Sequence, residues 1–164
     1  MDVVRYCTPE WLEICAKEYR SSPEYVEQLK KVTTKICFLV SADPTWGIDE
    51  DIIFGAYVNK GELEKLGFFS KTEARNEADF ILAASPQEWK KVLRNENKFI
   101  TDFMLGKITL EHGSKVGVLA IAPHANTFVD ALTQFELQFP DEMSPDELDE
   151  YRTYLQEFRA ELGV

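Results

Sequence analysis

Four of the seven prolines stand in one context: Thr8-Pro9-Glu10, Ser22-Pro23-Glu24, Ser85-Pro86-Gln87 and Ser144-Pro145-Asp146. In each, a hydroxyl that accepts from a free backbone N–H precedes a proline, whose missing N–H costs nothing at the first helical position. An acidic or amide residue follows and suits the positive end of the helix dipole. Helices are therefore expected to start at four separated places. Glu88 and Glu147 stand three residues after Ser85 and Ser144 and predict a capping box at each.

The apolar pattern fills in the rest. Trp11, Leu12, Cys15 and Tyr19, then Tyr25, Val26 and Leu29, carry the spacing of two short N-terminal helices. Between Val32 and Ser85 the pattern turns strand-like, in runs 36–40, 52–58, 63–69 and 80–84, with Asn59-Lys60-Gly61 as a hairpin turn. A meander is the natural reading of the first three runs. Beyond Ser85 a helix carries Trp89, Val92 and Leu93, and an apolar segment runs from Phe99 to Leu105. A fifth strand is expected over 107–111. From Ser114 the chain reads as helical again, with a break at Pro123. Leu148, Tyr151, Leu155, Phe158 and Leu162 form one stripe on a final helix. The expectation is a single α+β domain over 1–164: N-terminal helices in 1–33, a core in 34–139 and a C-terminal amphipathic helix in 140–164.

Composition narrows the function. A formal charge of −11 opposes nucleic acid, whose binders displace counterions with Lys and Arg, and opposes docking on anionic lipid. The longest apolar stretches, 36–40 and 116–122, fall far short of the roughly 20 residues that span a bilayer, so stable membrane insertion is not expected. Met1-Asp2-Val3-Val4-Arg5 lacks the pattern of a secretion leader. Cys7, Cys15 and Cys37 are odd in number and lack C-x-x-C spacing, which predicts buried thiols in a reducing, cytoplasmic setting. His112 and His124 lack the spacing of a metal pair. Gly106-Lys107 lacks the frame of a phosphate loop, with Thr101 where its first glycine belongs. No metal, no cofactor and no catalytic residue is expected.

The segment from Ala78 to about Leu119 carries a strand (Ala78 to Leu82), the capped helix from Ser85 to Leu93, the apolar stretch Phe99 to Phe103, and the strand Gly106-Lys107-Ile108-Thr109-Leu110-Glu111. This order resembles the sterol carrier protein type 2 family of lipid-transfer domains. The turn Glu111-His112-Gly113-Ser114 is one residue longer than the family's usual Glu-Gly-Asp. The resemblance implies a five-stranded, largely antiparallel sheet covered by helices. An apolar tunnel between sheet and helices would take a fatty acyl, fatty acyl-coenzyme A or sterol-like ligand without chemistry of the protein's own. On that reading Phe80, Trp89, Phe99, Phe103 and Met104, with Leu119, Ile121, Phe128 and Leu132, line the tunnel. For the same residues the plain alternative is a dry, close-packed core. Lys90, Lys91, Arg94 and Lys98, with Lys107 nearby, form the chain's one basic concentration and are candidates for an anionic head group; a solvated helix face is their ordinary role. The stripe Leu148, Tyr151, Leu155, Phe158 and Leu162 is read as a lid hinged at Pro140-Asp141-Glu142. It reads equally as a permanent core helix, or as the seam of a homodimer in an acidic interaction module with a closed core. A cofactor-free enzyme acting on an acyl substrate is the third reading.

Overall fold

The computed structural model describes residues 3–164. A short strand β1 (Val3–Arg5) leads into α1 (Pro9–Arg20) and α2 (Pro23–Gln28). The strands β2 (Thr33–Val40), β3 (Ile52–Asn59) and β4 (Glu62–Phe69) follow, then α3 (Lys71–Glu77) and β5 (Phe80–Ala84). The helix pair α4 (Pro86–Leu93) and α5 (Phe99–Met104) precedes β6 (Thr109–His112), α6 (Lys115–Ile121) and α7 (Ala125–Leu132). A last strand β7 (Glu136–Gln138) and the long α8 (Pro145–Leu162) complete the chain.

The proline signals act as read at the helix starts. Thr8 Oγ1 accepts from Trp11 N, Ser85 Oγ from Glu88 N and Ser144 Oγ from Glu147 N, and Glu147 returns a carboxylate to Ser144 N at 2.9 Å. Ser22 precedes Pro23 without making a side-chain cap bond. The meander is also present, its β3–β4 hairpin closed by Lys60 and Gly61 with φ of 49° and 83°, both left-handed as a tight two-residue turn requires.

The main sheet has the order β4-β3-β2-β5-β6, with β2 and β5 parallel and the other neighbours antiparallel. The architecture is therefore α+β with a five-stranded, largely antiparallel sheet. Its two faces bury different side chains, because successive residues of a strand alternate. Ile36, Phe38, Phe54 and Leu82 join the large core under the helices, whereas Cys37, Leu39, Ile53 and Ile81 join a smaller one beneath α3.

Three features differ from the sequence reading. Helix α3 stands where no helix is expected, between two strands; it is short and polar and buries only Ala74, although Ser70 and Glu73 close a capping box at its start. Strands β1 and β7 pair in parallel through three residues each, too few for a periodic signal. The fifth strand begins at Thr109 rather than 107, because the Lys107 and Ile108 amides both donate to the Asp102 carbonyl and extend the end of α5.

Candidate ligand cavity

Between the front face of the sheet and the helices lies a space of about 50 Å³ with a wholly apolar wall. The sheet supplies Ile36, Phe38, Phe54 and Leu82. Helix α4 supplies Trp89, Val92 and Leu93; Phe99 comes from α5, Ile121 from the end of α6, and Ala125, Phe128, Val129 and Leu132 from α7. Tyr6, just after β1, completes the wall. A second space of about 30 Å³ lies beside it, bounded by Cys15, Tyr19, Leu29, Ala56, Val58, Leu63, Leu66 and Ala131. The two share Phe38, Phe54, Phe128 and Leu132. Those four side chains are thus common to both spaces and divide one apolar layer into two compartments.

The indoles in this region can face apolar space because their N–H groups are satisfied elsewhere. Trp89 Nε1 donates to the Leu39 carbonyl at 3.0 Å and Trp11 Nε1 to the Leu132 carbonyl at 2.9 Å. Phe38 stacks on Phe54 with centroids 5.1 Å apart and meets Trp89 edge-on at 5.6 Å. The Tyr6 hydroxyl is buried without a hydrogen-bond partner, and burial pushes its pKa well above the ordinary value. Burial likewise pushes the Cys15 and Cys37 thiols up to about 12, and all three cysteines are free and buried.

Of the residues singled out in sequence, Trp89, Phe99, Ile121, Phe128 and Leu132 meet at this cavity. The other four do not. Phe103 is buried but stacks on Phe99 at 6.0 Å, and the Phe80 ring lies so close to Gly117 of α6 that a Cβ there would meet it at 2.5 Å. Met104 and Leu119 face outward, 60% and 42% exposed, because the buried sides of their helices are taken by Phe103 and Val118. The strand residues on the wall are absent from the sequence-based set: alternation shows that Ile36 and Phe38 share a face, but not which face the helices cover.

The basic concentration is dispersed. Lys90 pairs with Asp141 at 2.8 Å and Arg94 with Glu142 at 2.8 Å, and both cations lie over the Phe139 ring. Lys91 and Lys98 are exposed, while Lys107 lies at a groove on the opposite face of the sheet. That groove holds about 370 Å³, but Lys71, Arg75, Asp51 and Glu111 line it and its floor residues Ile53 and Ile81 are already buried. These ion pairs also hold Pro140–Glu142 as a 3-10 turn, with the Phe139 amide donating to Glu142, so the expected hinge is a bonded corner.

The C-terminal stripe is used internally. Tyr151, Leu155 and Phe158 are buried, Tyr151 Oη donates to the Tyr6 carbonyl at 2.5 Å, and Phe158 meets Phe68 at 5.0 Å. Leu148 packs close to Gly47, whereas Leu162 is exposed. No residue of α8 lines either apolar space, so the helix clamps the side of the core and does not cover the cavity. A stripe buried within its own domain leaves the homodimer seam without support. Among the described residues no helix is long and apolar enough to cross a membrane, and no three metal-ligating side chains converge.

The backbone fold matches solved structures over most of their length. A conserved hypothetical protein from Thermus thermophilus, suggested to be a sterol carrier protein, superposes with a TM-score of 0.67 at 20% identity, over 83% of this chain and 92% of the other. A crystal structure of sterol carrier protein 2 superposes with a TM-score of 0.61 at 21% identity, over 76% and 92%. This chain has the sterol carrier protein 2 fold. The apo form of sterol carrier protein 2 from Yarrowia lipolytica shares it at a TM-score of 0.54 and 13% identity, over 77% and 89%. No protein-family model and no curated protein sequence matches the chain. The sterol carrier protein 2 fold is thus recognisable here in three dimensions at identities of 21% or less.

Proposed function

We propose that the chain binds and transfers an elongated apolar ligand, of the fatty acyl or sterol-like kind, and catalyses no reaction on it. The observation that carries this reading is the wholly apolar wall between sheet and helices, in a fold whose solved examples include proteins named as sterol carriers. Catalysis needs a positioned acid, base or nucleophile, and the wall offers only the Tyr6 phenol, whose proton burial holds firmly.

A space of about 50 Å³ corresponds to one or two water-sized groups, far below the ~300–1,000 Å³ of ordinary ligand sites. On this reading an elongated ligand needs more room than the space offers as it stands. Loading must displace Phe38, Phe54, Phe128 or Leu132, the partition between the two spaces, and move a helix outward. Because Lys90 and Arg94 are occupied by Asp141 and Glu142, a ligand's polar end is not expected to be captured by the basic concentration.

Native mass spectrometry of gently purified protein, with titration by a fluorescent fatty acid such as cis-parinaric acid, tests the proposal. Co-purified lipid or saturable binding tighter than about 100 μM, near −5.5 kcal/mol, is the expected result. Absence of both refutes it.

A further inference from the structure

The capping box expected at Ser85 does not close. Ser85 Oγ accepts from the Glu88 amide at 3.1 Å, yet the Glu88 carboxyl does not return to Ser85. It turns instead toward Asp102 of α5, within hydrogen-bonding reach. Both residues are buried, 8% and 3% exposed, and Glu88 Oε2 meets no donor group of the protein. Two buried carboxyl groups attract one another only if a proton lies between them.

The position of the pair gives this contact a consequence. Glu88 immediately precedes Trp89 and Asp102 lies one helical turn after Phe99, and Trp89 and Phe99 both line the cavity. The contact therefore ties two walls of the apolar space together. Helix α5 has little else to hold its N-terminal end: it is six residues long, its N-cap Lys98 makes no side-chain cap bond, and left-handed residues flank it at Asn95 (φ 59°) and Gly106 (φ 79°). Asp102 itself is well anchored, accepting from Asn97 Nδ2 at 2.8 Å and, through its carbonyl, from the Lys107 and Ile108 amides.

We propose that Glu88 and Asp102 form a proton-held latch that keeps α5 closed over the apolar cavity, and that loss of the shared proton releases α5 and opens the cavity. The latch rests on reading that cavity as the lipid site and adds its regulation. Burial, then the hydrogen bond and charge of Asp102, pushes Glu88 up to about 7, while the proton donated by Glu88 holds Asp102 below its ordinary value. The other charged groups facing the pair are Lys91 on α4 and Lys107 after α5. Both favour the ionised forms, but neither makes an ion pair with either carboxyl among the described residues. Ionisation of Glu88 therefore sets two carboxylates against each other at the joint between α4 and α5.

The test measures stopped-flow release of pyrene-labelled dodecanol, an uncharged probe whose own ionisation cannot mimic the effect. The ionised fraction of a group titrating at about 7 rises about tenfold between pH 6 and 8, so release from the wild-type protein is expected to accelerate several-fold over that range. Glu88→Gln, a permanent donor to Asp102, is expected to release slowly at every pH, and Glu88→Ala quickly at every pH. Wild-type release that varies less than twofold, or a Glu88→Gln protein that keeps the acceleration, overturns the latch. Carboxyl-detected NMR titration of the ligand-free protein separates this from failure of the lipid reading. Glu88 should titrate near neutrality with Asp102 responding in step, even if no probe binds, and a Glu88 that titrates like an exposed glutamate overturns the latch without recourse to any ligand.

Discussion

At the scale of single residues, Ser-x-x-Glu stands at the N-caps Ser70, Ser85 and Ser144, and the first and last close full capping boxes while the middle one does not. Local spacing determines whether a glutamate can reach back, but a tertiary partner decides whether it does. Asp102 lies fourteen positions away in sequence and nothing in the spacing announces it. Stability should carry the mark of this competition. The folded chain retains a proton on Glu88 that the unfolded chain releases near 4.5, so the pair's contribution is full below that pH and is lost as pH rises through about 7. Asp102 acts in the opposite sense, its share being lost only as pH falls below its ordinary value of 3.8. Urea unfolding should show the wild-type protein losing on the order of 1–3 kcal/mol between pH 5 and 8, with Glu88→Gln flat across that window. Equal slopes in the two proteins would contradict the assignment.

At the scale of elements, strong periodicity was legible and weak or borrowed structure was not. The meander and the helices after Pro9, Pro86 and Pro145 follow from caps and alternation. Helix α3 and the β1–β7 pair do not, because one buries a single alanine and the other depends on partners more than 130 positions apart. Helix α8 shows the limit most clearly, since its stripe identifies an apolar face but not what covers it. It packs on the Trp46–Ile48 turn, β4 and Tyr6, and Arg159 donates to the Glu50 and Asp51 carbonyls. Removal of a buried aromatic from such a site costs about 3–5 kcal/mol, so Phe158→Ala should destabilise the domain by that amount in urea unfolding. Truncation after Phe139 should unfold the domain cooperatively by circular dichroism. A folded truncated domain would show α8 to be dispensable packing.

At the scale of the whole molecule, the sheet's two faces have separate roles: the front builds the apolar cavity and the back packs on α3 beside a charged groove. The fold and part of the cavity wall were legible from Ala78 onward. The strand side of the wall was not, because a period of two assigns residues to faces without orienting the sheet. The acidic balance of the chain, at −11, also reads differently once folded, with Asp141 and Glu142 neutralising the very cations that looked free in sequence. The central claim is that the ligand enters between the front face and the helices. Isotope-filtered NOE spectroscopy on methyl-labelled protein with an unlabelled long-chain fatty acid tests this directly. Contacts from the acyl chain to Ile36, Leu82, Val92, Ile121 and Leu132, with none to Ile53 or Ile81, are the predicted result. Contacts to Ile53 and Ile81 instead, or to surface methyls alone, would contradict the account.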